Sequence, residues 1–146
     1  MKISSRTRYG TRLMLVLALN YGRGPSLLRE IANKENISEK YLSQIIMSLK
    51  AQGLVNSFRG AKGGYILSRL PSEVTLREII EVLEGGLKLV DFEKDIAVYN
   101  QLSISVTGGI WQKVNDNIYK TLESITLQDL AKEYKNKDGK VLMYNI

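Results

Sequence analysis

The fold is decided by one stretch of the chain, Asn56-Ser57-Phe58-Arg59-Gly60-Ala61-Lys62-Gly63-Gly64-Tyr65-Ile66-Leu67. Its two ends are strand-like, and the segment between them is basic and rich in glycine. Glycine adopts positive φ without steric cost and lets the backbone come close to another chain. The stretch therefore predicts a β-hairpin with a cationic tip, its strands covering about residues 54–58 and 65–68.

Three helical patterns precede this hairpin. The first covers about residues 6–21 with Ser5 as its expected N-cap, and the second begins with Ser26 as its expected cap. The third begins at Ser38 and ends near Gly53. A short polar turn joins the second helix to the third, so the pair forms a helix–turn–helix. A helix–turn–helix followed by a cationic hairpin is typical of the winged helix, which places one helix in a DNA groove and the hairpin beside it.

The second half of the chain is expected to be helical. Thr75 opens a capping-box pattern, and Thr126 begins another helix that we expect to be short, ending at about Tyr134. A polar turn at 135–139 and an apolar tail at 141–146 are expected to follow. Residues 87–108 show no clear pattern; a small effector has room there, but nothing in the sequence specifies one.

Apolar residues also recur at every fourth position between these two helices, at Ile110, Val114, Ile118 and Leu122. This stripe is too apolar for an exposed helix. On the residues alone it is interpreted as a face buried in the core. For the neighbouring Trp111, burial in the core is the favoured interpretation.

The 146 residues include no Cys and no His. Disulfides, Cys/His zinc sites, thiolate-held iron–sulfur clusters, His acid–base catalysis and Cys nucleophiles are therefore excluded. No nucleophile–base pair appears, and the glycine-rich segment does not open a helix as a phosphate-binding loop would. We expect a protein that is not an enzyme, with no catalytic residue, metal or cofactor.

The charge is distributed unevenly along the chain. Residues 1–70 contain 12 Lys and Arg against 3 acidic residues, a net charge of +9, and residues 71–146 contain 9 against 12, a net charge of −3, which together give the formal +6. A basic half joined to a mildly acidic half favours one surface for a polyanion. No segment approaches the roughly 20 apolar residues of a membrane span, and no signal-peptide pattern is present. We therefore expect a soluble cytoplasmic protein with no membrane partner.

Several blocks in this order carry a resemblance to the Rrf-type (BadM-type) winged-helix regulators of bacteria. They are Arg8-Tyr9, Ile37-Ser38, Tyr41-Leu42-Ser43-Gln44-Ile45, Gly53-Leu54-Val55, Arg59-Gly60-Ala61-Lys62-Gly63-Gly64-Tyr65 and Thr126-Leu127-Gln128-Asp129-Leu130-Ala131. Some members of this family hold an iron–sulfur cluster with three cysteines in the region corresponding to about 87–108, where this chain has none. The resemblance is strongest to cluster-free members that repress cysteine-metabolism genes.

This resemblance implies a fold that is mainly α with a small β-wing. Residues 1–72 would form the winged helix–turn–helix DNA-binding domain. Residues 73–146 would form a helical dimerisation and regulatory region that contains a long dimerisation helix and a C-terminal tail.

The outward face of the third helix and the wing supply the candidate DNA contacts. Base contacts are expected from Ser38, Lys40, Ser43 and Gln44, because Gln and Ser can bond base edges; the alternative is that they are solvated polar residues. Many relatives carry Glu at the position of Ser43, so the preference of those relatives for particular operator bases is not carried over to this residue.

The resemblance implies that Arg59 reaches a minor groove from the base of the wing, with Lys62 at the tip. The alternatives are phosphate contacts or salt bridges to the protein's own acids. Phosphate contacts at the N-terminus of the first helix are expected from Lys2, Arg6, Arg8 and Tyr9.

The resemblance also bears on partners other than double-stranded DNA. It implies that Ile110, Val114, Ile118 and Leu122 lie in a homodimer interface. It further implies cysteine synthase (O-acetylserine sulfhydrylase) as a protein partner, bound through the tail residues Tyr144, Asn145 and Ile146. A tail packed on its own dimer is the favoured alternative for these last residues.

Two other functions remain open for the whole chain. One is a winged-helix adaptor that binds proteins instead of DNA, and the other is an Rrf-type regulator of a different effector.

Overall fold

The computed structural model describes residues 2–86 and 102–144, with residues 141–144 as backbone only. Within these residues the chain is mostly helical, with one two-stranded antiparallel sheet, which confirms the predicted fold class. The elements are α1 (Ser5–Leu19), α2 (Leu28–Glu35), α3 (Glu39–Ala51), β1 (Val55–Phe58), β2 (Gly64–Leu67), a short 3₁₀ helix (Pro71–Glu73), α4 (Leu76–Glu84), α5 (Leu102–Glu123) and α6 (Leu127–Tyr144).

The caps of the first two helices differ from the sequence prediction. Ser4, and not Ser5, caps α1, because its Oγ accepts the Thr7 N–H at 3.1 Å. The N-cap position of α2 is Leu27, which has no capping side chain. Ser26 is instead paired with Tyr65 in a β-bridge, so its backbone belongs to the sheet.

The capping box predicted at Thr75 is confirmed. Its side chain accepts the Glu78 N–H, and the Glu78 carboxylate accepts the Thr75 N–H. Thr126 and Asp129 make the same reciprocal pair at the start of α6, at 3.1 and 2.9 Å.

The core is built around α1, which contacts α2, α3, α4, α6 and β2. The α1–α4 crossing is close at Gly10, where a Cβ would overlap the Leu83 side chain. Leu127 of α6 is fully buried in the same cluster as Leu13. The predicted domain boundary between residues 72 and 73 stays a prediction, and this cluster has members on both sides of it.

The C-terminal helix is longer than predicted. The expected polar turn at 135–139 is part of α6, which continues to Tyr144. A single Gly139 costs a helix only about 1 kcal/mol, and the surrounding Lys residues are good helix formers. Lys137 and Glu133 add an ion pair one turn apart, at 3.4 Å. The polar run is therefore a solvated helical surface; Asn145 and Ile146 lie outside the described residues.

No helix in the described ranges has the length and apolar character that crossing a bilayer requires.

Candidate nucleic-acid interface

The outward face of α3 is polar. Its opposite face fixes the helix on the core through four buried residues, Leu42, Ile45, Ile46 and Leu49. Lys40 and Gln44 are exposed on the other side, and Ser43 is half-buried. Ser38 caps the helix, and its Oγ accepts the Tyr41 N–H at 3.3 Å. Its hydroxyl hydrogen remains able to donate to a base or a phosphate.

The wing is a β-hairpin held from one side by the chain before α2. Strands β1 and β2 pair from Val55↔Leu67 to Phe58↔Gly64. The Ser26 and Tyr65 backbones exchange two N–H···O bonds, both of 2.9 Å, which adds a third short strand segment. Gly64 permits this approach, because it has φ +141° and a Cβ there would overlap the Ser26 carbonyl.

The wing tip presents two cations to solvent. Arg59 and Lys62 are both exposed, and within residues 2–86 and 102–144 neither forms an ion pair. The tip turns at Gly60, whose φ is +106°, and its carbonyl accepts the Gly63 N–H at 3.0 Å. The turn therefore carries two charges that no acidic side chain of the described residues neutralises.

Four residues near the start of α1 are predicted to contact phosphates, and the structure gives them different environments. They are Lys2, Arg6, Arg8 and Tyr9. Lys2 and Arg8 are exposed, and Arg8 donates to Ser5 Oγ at 3.0 Å. Arg6 instead donates to Ser48 Oγ, which ties α1 to α3. Tyr9 is half-buried and packs edge-on against Tyr41, with ring centroids 5.7 Å apart.

Arg12 belongs to this surface and was missed by the sequence analysis. Its guanidinium donates to the Glu35 carbonyl at 2.5 Å and to the Glu35 carboxylate at 3.2 Å. It also lies over the Tyr9 ring, 5.6 Å from the centroid. Arg12 thereby satisfies the C-terminal end of α2. Local sequence gives no signal for this contact, because its partner lies on another helix.

The apolar stripe of α5 is only partly covered by its own chain. Leu102 is 81% exposed and Ile110 is 56% exposed, with Val106 exposed between them. The predicted dimerisation residues Val114, Ile118 and Leu122 are half-buried. Trp111 is 43% exposed, so the expectation that it lies in the core is wrong for the single chain.

A compact junction connects the winged unit to α5. Leu76 donates its N–H to the Ile125 carbonyl, and Leu127 donates to the Val74 carbonyl, both at 2.9 Å. Arg77 of α4 reaches across to α5, where it lies 5.0 Å from the Tyr119 ring centroid and 3.5 Å from the Glu123 carboxylate. The pKa of Arg77 is raised, first by its hydrogen bond to Glu81 and then by the nearby carboxylates.

The far end of α4 is tied to the start of α1. Glu84 Oε1 accepts the Ser4 N–H at 2.6 Å. Hydrogen bonds from the Ser4 side chain, the Ser4 backbone and Thr7 lower the pKa of this carboxyl, because they favour its charged form. At the other junction, hydrogen bonds from the Thr126 backbone and side chain lower the pKa of Asp129.

Comparisons with known proteins point to one family. The Rrf2 family model, described as "Iron-dependent Transcriptional regulator", matches residues 3–133. The HTH-type transcriptional regulator CymR of Bacillus subtilis is 38% identical over 146 residues, 100% of each chain.

Solved structures show the same likeness. The structure of CymR, described as the global cysteine regulator of B. subtilis, superposes on this chain with a TM-score of 0.80 and 38% sequence identity. The superposition covers 91% of this chain and 98% of the CymR chain. T. potens IscR has a TM-score of 0.75 and 42% identity, covering 92% of this chain and 88% of that one.

The matched family's description names iron, but the side chains of this protein do not suit a thiolate-held cluster. The sequence has neither Cys nor His, the residues that ligate such clusters. In the parts of the chain that the structure describes, no three acidic side chains converge on a cation site either. The region where the resemblance places the cluster cysteines falls largely on residues 87–101, outside the described residues.

Proposed function

The chain belongs to the Rrf2 family of transcriptional regulators, and from that premise we propose that it is a dimeric, sequence-specific DNA-binding repressor of sulfur and cysteine metabolism genes that works without an iron–sulfur cluster. One observation carries the DNA-binding part: an exposed polar helix face lies on the same unit as a wing whose two cations have no ion-pair partner among the described residues. Unpaired cations are the groups that displace condensed counterions from a duplex.

In this proposal α3 lies in the major groove and the wing lies over the adjacent minor groove. Gln44 bonds an adenine edge through its amide, and Ser38, Lys40 and Ser43 contact neighbouring bases. Arg59 enters the minor groove, where a narrow groove concentrates negative potential, and Lys62 follows the backbone.

The start of α1 divides into two roles. Lys2 and Arg8 are exposed and contact phosphates. Arg6 and Tyr9 already contact α3 through Ser48 and Tyr41, so we assign them to orienting the recognition helix as well as to the phosphate contacts expected from sequence.

A salt titration with a matched pair of lysine variants tests the DNA contacts. Lys62→Ala should reduce the slope of log K against log salt by about one unit, since one phosphate contact is lost. Lys135→Ala removes an exposed lysine from α6 and should leave the slope unchanged. Arg59→Ala should weaken binding and flatten the preference among operator sequences. Equal slopes for Lys62→Ala and Lys135→Ala would contradict the assignment of the wing tip.

The dimer is supported by the exposed apolar row along α5. Exposed apolar side chains in such a row are stabilised by burial, and a second copy of the chain related by a two-fold axis would bury them. The same two-fold axis would match a palindromic operator. Sedimentation equilibrium should give about 33 kDa, twice the 16.5 kDa chain mass. Ile110→Glu should shift the mass to a single chain, whereas Gln112→Glu, an exposed position on the same helix, should not. A wild-type mass of one chain at micromolar concentration would refute the dimer.

The regulated genes are proposed from the similarity to a protein titled as a global cysteine regulator. Genome-wide mapping of bound sites should show enrichment upstream of sulfur-uptake and cysteine genes. Enrichment of bound sites upstream of other genes would favour the alternative, an Rrf-type regulator that responds to a different effector.

We also propose the C-terminal residues Tyr144, Asn145 and Ile146 as a docking segment for cysteine synthase, an expectation carried from the family resemblance. The support in this chain is the apolar side chain of Ile146 beside the polar residues Tyr144 and Asn145. Deletion of Ile146 should abolish binding to the synthase. Unchanged affinity would favour the alternative, a tail packed on its own dimer.

A further inference from the structure

The wing hairpin has two faces, and only one of them packs on the core. Val55 and Leu67 are paired across the strands and are buried. Because side chains alternate along a strand, Phe58 and Ile66 belong to the opposite, outer face. Phe58 is 51% exposed there.

This outer face forms one wall of a groove of about 610 Å³. The loop between α1 and α2 forms the other wall, with Tyr21, which is 42% exposed, and Pro25. The lining is mainly apolar, and the volume lies within the roughly 300–1,000 Å³ of small-molecule sites. The shape and composition of the groove therefore suit a compact ligand with an apolar body.

The same groove is lined by the two cations of the wing tip. Arg59 and Lys62 have no ion-pair partner among the described residues, so an incoming anion meets two cations that no acid in these ranges neutralises. A guanidinium binds a carboxylate through two parallel N–H···O bonds, and aromatic rings cover the apolar part of such a ligand. One hairpin face and one loop form a smaller patch than the roughly 800 Å² each partner contributes to a standard protein interface. Charge and size together favour a small amphipathic anion over a protein segment.

We propose that this groove binds a small organic carboxylate that carries an aromatic or branched aliphatic group, and that the bound ligand competes with DNA for Arg59. The competition rests on the proposed function, because it removes the minor-groove contact assigned to Arg59. Ligand binding itself requires no DNA and is tested separately.

Direct binding is tested on the DNA-free protein with 2-naphthoate as the probe. Calorimetry should detect saturable binding, and the backbone NMR signals of Tyr21, Phe58 and Ile66 should shift. The neutral 2-naphthamide should bind about fivefold more weakly, because it cannot form the charge-assisted pair with Arg59. Phe58→Ala should weaken naphthoate binding about tenfold. Leu70→Ala, which truncates an exposed apolar residue outside the groove, should not.

Phe58 is half exposed at the end of a strand, so its truncation should leave the fold intact, and a thermal melt will verify this. Absence of binding, equal affinity for the amide, or equal affinity of Phe58→Ala and wild type would each overturn the site.

Competition is tested by adding 2-naphthoate to a titration with duplex DNA. The apparent Kd for DNA should rise with naphthoate for the wild type and stay constant for Phe58→Ala. An unchanged DNA affinity at saturating naphthoate would overturn the competition. A protein that binds DNA but not naphthoate contradicts this inference alone, whereas one that binds naphthoate but no DNA contradicts the proposed function and the competition with it.

Discussion

Replacement of Gly64 by alanine tests the close contact on which the position of the wing depends. Gly64 has φ +141°, and a Cβ at this residue would overlap the Ser26 carbonyl. Holding an alanine at a positive φ that L-residues rarely adopt costs about 1–3 kcal/mol. Relief of the overlap would separate Ser26 from Tyr65, which share two N–H···O bonds of 2.9 Å, each worth about 1 kcal/mol. We therefore expect Gly64→Ala to lower the free energy of unfolding by about 4 kcal/mol.

Gly60→Ala is the matched control. Gly60 also has positive φ, at +106°, but a Cβ there meets no atom within 4 Å. The control should lose only the cost of the positive-φ backbone, about 1–3 kcal/mol. Urea unfolding followed by circular dichroism gives both values, with equal m-values as the check on two-state behaviour.

The difference between the two variants isolates the contact with Ser26. If Gly64→Ala were no less stable than Gly60→Ala, the third strand segment would not hold the hairpin, and the fixed placement of Arg59 would lose its structural basis. Weakened DNA binding by Gly64→Ala at a temperature where it remains folded would strengthen the link between wing position and recognition.

Three further outcomes follow from the helix contacts. Glu84→Gln should reduce stability at neutral pH. Because hydrogen bonds from Ser4 lower the Glu84 pKa, the difference from wild type should begin to shrink below the ordinary value of 4.5 and be lost as pH falls through the lowered pKa; a difference that does not change with acidification would contradict this. Gly10→Ala should cost about 1–3 kcal/mol by overpacking, and adding Leu83→Ala should recover part of that loss in a double-mutant cycle; strict additivity would show that the two sites do not touch. Arg77→Ala should lower the melting temperature more at low salt than at about 1 M salt, because salt screens the two exposed ion pairs while the contact with the Tyr119 ring is lost in both conditions; an effect independent of salt would contradict the contribution of the ion pairs.

The local features of the fold could be predicted because their signals are local. The capping box at Thr75 and the strand-like residues around the glycine-rich tip depend on residues only a few positions apart. The sequence neighbours of Ser26 predict a helix cap at this residue. Its observed partner, Tyr65, follows the helix–turn–helix in the sequence, so no local pattern around Ser26 indicates the pairing.

The same distinction explains the outcome for the candidate interface. The sequence identifies Arg6 as a cation and Tyr9 as a phenol, but their contacts with Ser48 and Tyr41 depend on how α1 crosses α3. In α6 the difference has the opposite source. The polar run containing Gly139 predicts a turn, but its helical propensity and exposure suit a solvated helix.

The bridge between Thr75 and Thr126 has a consequence for operator architecture. Helix α5 ends at Glu123, so only two residues separate it from a hydrogen-bonded pair that also starts α4. Such a short connection leaves little freedom for the winged helix–turn–helix to rotate relative to α5. In the proposed two-fold dimer, the angle at which the two α5 helices cross would then fix the distance between the two recognition helices, α3 of each chain. Relatives with similar wings but different crossing angles would select different half-site spacings.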